Sequence, residues 1–141
     1  MHSAAGPKLA QECSLHYRCL PGDVKLTNGY ELPCRKVIHT VGPKYDILAR
    51  NGDYGIQVAE TVLASCYQRA LQLAADQVLH SIAFCAIATG AFGYPGARAA
   101  GVALREVKQF LARPSMAEKF DRIIFCAWRE VDEMYYRRIA P

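Results

Sequence analysis

The period of apolar and polar residues changes several times along this chain, and each change marks an element. Val24-Lys25-Leu26-Thr27 alternates as a half-buried strand does and stops at the turn pair Asn28-Gly29. Lys36 to Val41 reads as a second strand, ended by Gly42-Pro43. The polar, glycine-bearing stretch from Lys44 to Gly55 then reads as a loop. Ahead of both strands, Pro7 to Cys13 fits a short helix. Val58, Val62, Cys66, Ala70 and Leu73 recur at helical spacing, which predicts about four turns from Gln57 to Ala75 with one buried face.

Two later segments are apolar at successive positions, so Ser81 to Ile87 and Arg122 to Trp128 are expected to be parallel-sheet strands covered on both faces. Between them Ala100, Leu104, Val107 and Leu111 share one helical face. That helix begins near Pro95 and stops before Pro114, which cannot continue the hydrogen-bond ladder. Val131, Met134, Tyr135 and Arg138 place a closing helix after the last strand. No internal repeat, low-complexity tract or linker interrupts the alternation. The pattern predicts a single α/β domain with helices on both faces of the sheet.

With 141 residues, 52% of them hydrophobic and 21% charged, the chain has material for one core. Seventeen Lys+Arg against 13 Asp+Glu give a formal charge of +4. That balance suits an anionic ligand but lacks the basic stripe of a duplex-binding surface, so no specific nucleic-acid partner is expected. No apolar run approaches a membrane span, and residues 1–7 have neither the charged start nor the apolar core of a signal peptide. An intracellular protein without a membrane partner is expected. Of the six cysteines, Cys66, Cys85 and Cys126 sit in apolar segments and read as reduced, buried hydrophobes. Cys13, His16 and Cys19, with Cys34 as a fourth ligand, form a candidate zinc set. Their C-x-x-H-x-x-C spacing matches no common knuckle, and no metal is expected.

In open sheets ligands gather beyond the carboxyl ends of parallel strands, which directs attention to the residues after Ile87 and after Cys126. Ala88-Thr89-Gly90-Ala91-Phe92-Gly93-Tyr94-Pro95 leads straight into a helix, where exposed N–H groups can cradle a phosphate. Neither GxGxxG nor GxxxxGK[ST] occurs, which disfavours nicotinamide redox chemistry and phosphoryl transfer. Gly90 and Gly93 are either anion-binding or plain turn positions, and Phe92 either meets a ribose or packs under the loop. Trp128, followed by Arg129-Glu130, is either an exposed ring able to stack on a base or a wedge beneath the last helix. His39 reads as a hydrogen-bonded core histidine, and Asp132 and Glu133 as acids that complement a helix dipole. Arg129 reads as an ordinary surface cation. A Cys34 or Cys85 nucleophile has no recognisable histidine partner.

The ordered stretches His2-Ser3-Ala4-Ala5-Gly6-Pro7, Cys19-Leu20-Pro21-Gly22-Asp23-Val24-Lys25-Leu26-Thr27-Asn28-Gly29-Tyr30-Glu31-Leu32-Pro33, Val37-Ile38-His39-Thr40-Val41-Gly42-Pro43 and Ala88 to Pro95 resemble a macrodomain of the MacroD type. The resemblance covers residues 1–141 as one domain. It implies a three-layer α/β/α sandwich on a mixed sheet, a pocket for ADP-ribose and no cofactor. The implied activity is hydrolysis of ADP-ribosyl esters on mono-ADP-ribosylated proteins, or deacetylation of O-acetyl-ADP-ribose. By position, Thr89, Gly90, Ala91, Phe92 and Gly93 match the loop that holds the diphosphate and distal ribose. Phe92 would pack on that ribose, Trp128 would lie beside the adenine, and His2 matches a histidine implicated in catalysis or in shaping the distal-ribose site. Ala88 stands where the family usually has serine. Upstream of this histidine, family members carry two strands, an adenine-binding aspartate, an Asn-Ala-Ala-Asn segment and a glycine-rich loop with a catalytic aspartate. This sequence holds none of them, which implies N-terminal strands missing from the sheet, one of them central, and unpaired backbone on its neighbours. Two functions follow from the resemblance: an ADP-ribosyl ester hydrolase of reduced or absent activity, and a non-catalytic ADP-ribose reader or remnant acting through protein contacts.

Overall fold

Two strand pairs and the helices packed on them organise residues 2–15 and 18–140, which the computed structural model describes. β1 (Val24–Asn28) and β2 (Lys36–Thr40) are antiparallel, with Leu26 opposite Ile38 and Thr27 opposite Val37. β3 (Ser81–Cys85) and β4 (Arg122–Cys126) are parallel, with Cys85 opposite Cys126. Among the described residues no ladder joins the two pairs. Gly42, just past β2, nevertheless lies against Ile87 and Ala88, just past β3, so β2 and β3 end on the same side of the molecule.

The alternation in β1 and β2 places one set of side chains on each face. Val24 and Ile38 pack against the main core, in which α4 (Gly52–Asp76) is the longest element. On the other face α2 (Pro7–Leu15) follows the short α1 (His2–Ala5), buries Leu9, and brings Cys13 Sγ to 3.9 Å from His39 Nε2. This half of the molecule has three layers, helix on sheet on helix.

The stretch from Lys44 to Gly55, expected to be a loop, is helical instead. It holds α3 (Tyr45–Leu48), a 3-10 turn (Ala49–Asn51) and the first residues of α4. Its glycines serve packing. A Cβ on Gly55 would run into the Leu48 carbonyl, and Gly52, at φ +63°, reverses the chain between the turn and the long helix. α4 therefore has 25 residues, about seven turns where about four were expected.

α4, α5 (Gly96–Leu111) and α6 (Glu130–Ile139) all cover one face of β3 and β4. There Phe84 lies 5.0 Å from Tyr67 and 6.0 Å from Phe125, and Phe125 stacks on Tyr136 at 4.9 Å. Burying Phe84, Phe110 and Leu63 contributes about 1.5–3 kcal/mol each. The opposite face differs from the sequence expectation: Ser81, Ala83, Cys85, Arg122, Ile124 and Cys126 are all exposed. Cys85 and Cys126 are thus not core residues, although Cys66 is. Two-sided burial fails here because every helix near this pair lies on the Phe84 side. Among the described residues no helix is long and apolar enough to cross a membrane.

Candidate functional site

Because β3 and β4 are parallel, the segments that follow Cys85 and Cys126 emerge on one edge of the pair. After β3 the chain folds into a tight double turn. Gly93 N donates to Gly90 O and Tyr94 N to Ala88 O, both at 3.0 Å, while Thr89 donates to Ala86 O through its amide (3.4 Å) and hydroxyl (3.0 Å). Thr89 therefore spends its hydroxyl on shaping the loop. Ala88 sits at φ 64°, left-handed backbone that costs a residue with a Cβ about 1 kcal/mol or more. Gly42 makes room for it, since a Cβ there would stand 2.9 Å from Ala88 Cβ.

The two loop glycines differ. Gly93 has φ +68°, and a Cβ on it would collide with the Asp46 carboxylate. Gly90 has no heavy atom within 4 Å of where a Cβ would stand, so it leaves the outer face of the loop open. Between them, the amides of Gly90, Ala91 and Phe92 donate to no acceptor among the described residues. The loop feeds α5, whose first turn carries no acidic side chain and whose cap, Pro95, makes no side-chain hydrogen bond. Orphan donors and the positive end of the helix dipole thus sit side by side, an arrangement that favours an anion.

Neighbouring contacts hold this loop in place. Phe92 is half-buried, and its carbonyl accepts from Asp46 N at 3.3 Å. Tyr94 is buried 4.7 Å from the Tyr45 ring, and burial pushes its phenol up to about 12, so the ring stays neutral. Arg98 donates to Tyr45 Oη at 3.4 Å. Asp46, Tyr45 and Gly42 were not singled out in the sequence. All lie in or beside the stretch that read as a loop, and nothing local shows that they fold against residues 88–94.

Trp128, beyond β4, is 95% exposed, which excludes the wedge beneath the last helix. Arg129 explains its position. Nε and Nη2 of Arg129 donate to the two Asp132 oxygens at 2.8 and 2.7 Å, turning the chain so that Tyr136, not Trp128, covers Phe125. Arg129 is therefore more than a surface cation, and its hydrogen bonds hold the buried Asp132 carboxyl below the usual range. Thr89 to Gly93 and Trp128 thus share one edge of the molecule.

The remaining candidates lie elsewhere. The His2 backbone belongs to α1, while its side chain lies outside the described residues. Ala5 O, at the end of α1, accepts from Glu31 N at 3.4 Å in the turn between β1 and β2, the end of β2 opposite Gly42. His39 accepts or donates at Thr27 Oγ1, 2.8 Å away, in keeping with a hydrogen-bonded core role. His16 lies outside the described residues, and among these no three His, Cys, Asp or Glu side chains converge on a metal-sized site. Between β2 and β3, with Ala88 and Phe92 at its loop end, lies a cavity of about 750 Å³.

Comparison with known proteins bears on this site. The family model described as Macro domain matches residues 1–103. A "Macro domain-containing protein" of Methanosarcina mazei is 45% identical over 118 residues, 84% of this chain and 59% of its own length. "ADP-ribose glycohydrolase MACROD2" of Xenopus laevis is 45% identical over 138 residues, 98% of this chain and 31% of its own. The crystal structure of the Trypanosoma brucei macrodomain in complex with ADP-ribose superposes with a TM-score of 0.84 at 34% identity, covering 99% of this chain and 54% of that one. This chain therefore spans no more than 59% of any of the three.

Proposed function

This chain belongs to the macro domain family, and from that premise we propose that it binds ADP-ribose at the carboxyl ends of β3 and β4. The observation that carries the reading is the set of three loop amides, of Gly90, Ala91 and Phe92, without a protein acceptor beside the start of α5. A diphosphate supplies the missing acceptors, and each hydrogen bond to a charged group is worth about 1.5–3 kcal/mol. Phe92 flanks the distal ribose. Trp128, already exposed, stacks on the adenine, a contact worth about 1–3 kcal/mol. Loss of a serine hydroxyl at Ala88 leaves these amides untouched.

The ligand classes that present this group are free ADP-ribose, O-acetyl-ADP-ribose and proteins carrying mono-ADP-ribose. Holding such a group, the work of a non-catalytic reader, needs only the loop and Trp128. Hydrolysis of an ADP-ribosyl or acetyl ester needs in addition a residue that activates or orients water. That second reading is supported by the glycohydrolase name of the Xenopus relative; by position in the sequence the role falls to His2, but α1 ends beside Glu31, at the end of β2 away from the loop, which favours the reader.

Calorimetric titration with ADP-ribose, with AMP and NAD as controls and folding checked by circular dichroism, tests the proposal. ADP-ribose is expected to bind with Kd of about 1–100 µM, about −8 to −5 kcal/mol, and more tightly than either control. A folded chain that gives no heat with ADP-ribose overturns it. Turnover of O-acetyl-ADP-ribose that disappears in His2→Ala separates hydrolase from reader.

A further inference from the structure

ADP-ribose runs adenine, ribose, diphosphate, ribose. With adenine on Trp128 and the diphosphate on the amides of Gly90, Ala91 and Phe92, the ribose that joins them spans the distance from the end of β4 to the start of α5. The Arg129–Asp132 pair lies in that interval. Arg129 follows Trp128 in the chain, and Asp132 Oδ1 is 3.4 Å from where a Cβ on Gly96, the first residue of α5, would stand. The Tyr135 ring comes within 2.8 Å of the same point, so the start of α6 is docked on the start of α5. The ion pair therefore bridges the two elements proposed to hold the ligand.

Only one side of the Arg129 guanidinium is occupied. Nε and Nη2 donate to Asp132, which leaves Nη1 pointing away from the carboxylate, with no acceptor among the described residues. The Arg129 side chain is 53% exposed and that of Asp132 only 5%, so the free side of the fork is the one that meets solvent. Gripped from behind, its plane is fixed before a ligand arrives. We propose that Arg129 is a specificity-determining contact to the adenosine ribose, favouring ligands phosphorylated on the 2′ hydroxyl, ADP-ribose 2′-phosphate above ADP-ribose. A ribose hydroxyl offers the fork one neutral acceptor, whereas a phosphate monoester offers three oxygens and a charge of about −1.5 to −2. In dinucleotide-binding α/β folds an arginine beside the ribose accommodates the 2′-phosphate in the same way. The 2′ position is favoured over the 3′ because C2′ is bonded to the carbon that carries adenine, and Arg129 adjoins the residue proposed to stack on that base. Of the neighbouring acids in the first turn of α6, Glu133 accepts from Arg137 at 2.6 Å, while exposed Glu130 opposes an anion. The inference rests on the ADP-ribose reading above and adds to it a preference among ligands.

The test is calorimetric titration of the whole chain at low salt with ADP-ribose 2′-phosphate and ADP-ribose, and in parallel with 2′,5′-ADP, 3′,5′-ADP and AMP. The 2′-phosphate is expected to tighten binding by about tenfold or more, a preference that shrinks as salt is added, and 2′,5′-ADP to bind more tightly than 3′,5′-ADP or AMP. Arg129→Met alone leaves a buried carboxylate without its partner and can cost the fold, so the variant is Arg129→Met with Asp132→Asn, its folding checked by circular dichroism. The readout is the ratio of the two affinities within one variant, from which any displacement of Trp128 cancels. In the double variant that ratio is expected to fall to about one, and in Glu130→Gln to rise above that of the parent chain. A parent chain that binds ADP-ribose without preferring its 2′-phosphate overturns this inference alone. So does a preference retained in the double variant, or a 3′-phosphate that gains as much as a 2′-phosphate. A folded chain that binds neither form removes the ADP-ribose reading, and this inference with it.

Discussion

Asp46 and Gly93 show how much of the site depends on single side chains. The Asp46 carboxylate lies where a Cβ on Gly93 would stand, and Gly93 has φ +68°, so Gly93→Ala is expected to cost about 1–3 kcal/mol in urea denaturation and to weaken ADP-ribose binding. The same carboxylate is a like charge beside the proposed diphosphate site. Asp46→Asn should therefore tighten ADP-ribose by about two- to fivefold in calorimetry at low salt, an effect that shrinks as salt is added. Weaker binding in Asp46→Asn would show that the carboxylate helps hold the ligand. Tyr67 offers a case of opposite sign: its buried hydroxyl has no hydrogen-bond partner among the described residues, and burial pushes its phenol far above the usual range. Tyr67→Phe is expected to leave the urea midpoint unchanged or raise stability by up to about 1 kcal/mol; a clear loss contradicts this. At this scale the loop from Thr89 to Gly93 was legible, because glycines spaced before a helix start are a local signal. Asp46 was not, because only tertiary folding brings it to Gly93.

Among the elements, the hydrophobic pattern located every strand, but two expectations failed for physical reasons. Gly52 and Gly55 are loop signals locally, yet one reverses the chain and the other admits the Leu48 carbonyl, so helix continues where a loop was expected. The runs in β3 and β4 are apolar on both faces, but α4, α5 and α6 all pack on the Phe84 side. Sequence states that a face is apolar; it does not state what covers it. The start of α6 carries a testable electrostatic device. Its hydrogen bonds from Arg129 lower the Asp132 carboxyl in the folded chain, so their contribution is complete above the unfolded value of about 3.9 and is lost as pH falls through the lower folded value. Asp132→Asn is expected to lose about 1 kcal/mol near neutrality, since half-exposed Arg129 is screened by solvent. The difference from the parent chain should shrink when urea midpoints are followed down to about pH 2. A constant difference contradicts the ion-pair account.

For the molecule as a whole, the two strand pairs with an open gap between them are the feature that composition and periodicity could not supply. Among the described residues no strand pairs with the facing edges of β2 and β3. The gap ends at Ala88 and Phe92, beside the loop proposed to hold ADP-ribose. The central claim is that three unpaired amides and one exposed indole form the ligand site. An amide-resolved NMR titration with ADP-ribose tests it most directly. The account predicts that the largest saturable shifts fall on the amides of Gly90, Ala91 and Phe92 and on the Trp128 indole N–H, while the amides of α2 stay unmoved. Saturable binding whose shifts fall away from residues 89–93 and Trp128, or no saturable shift in a folded chain, would contradict it.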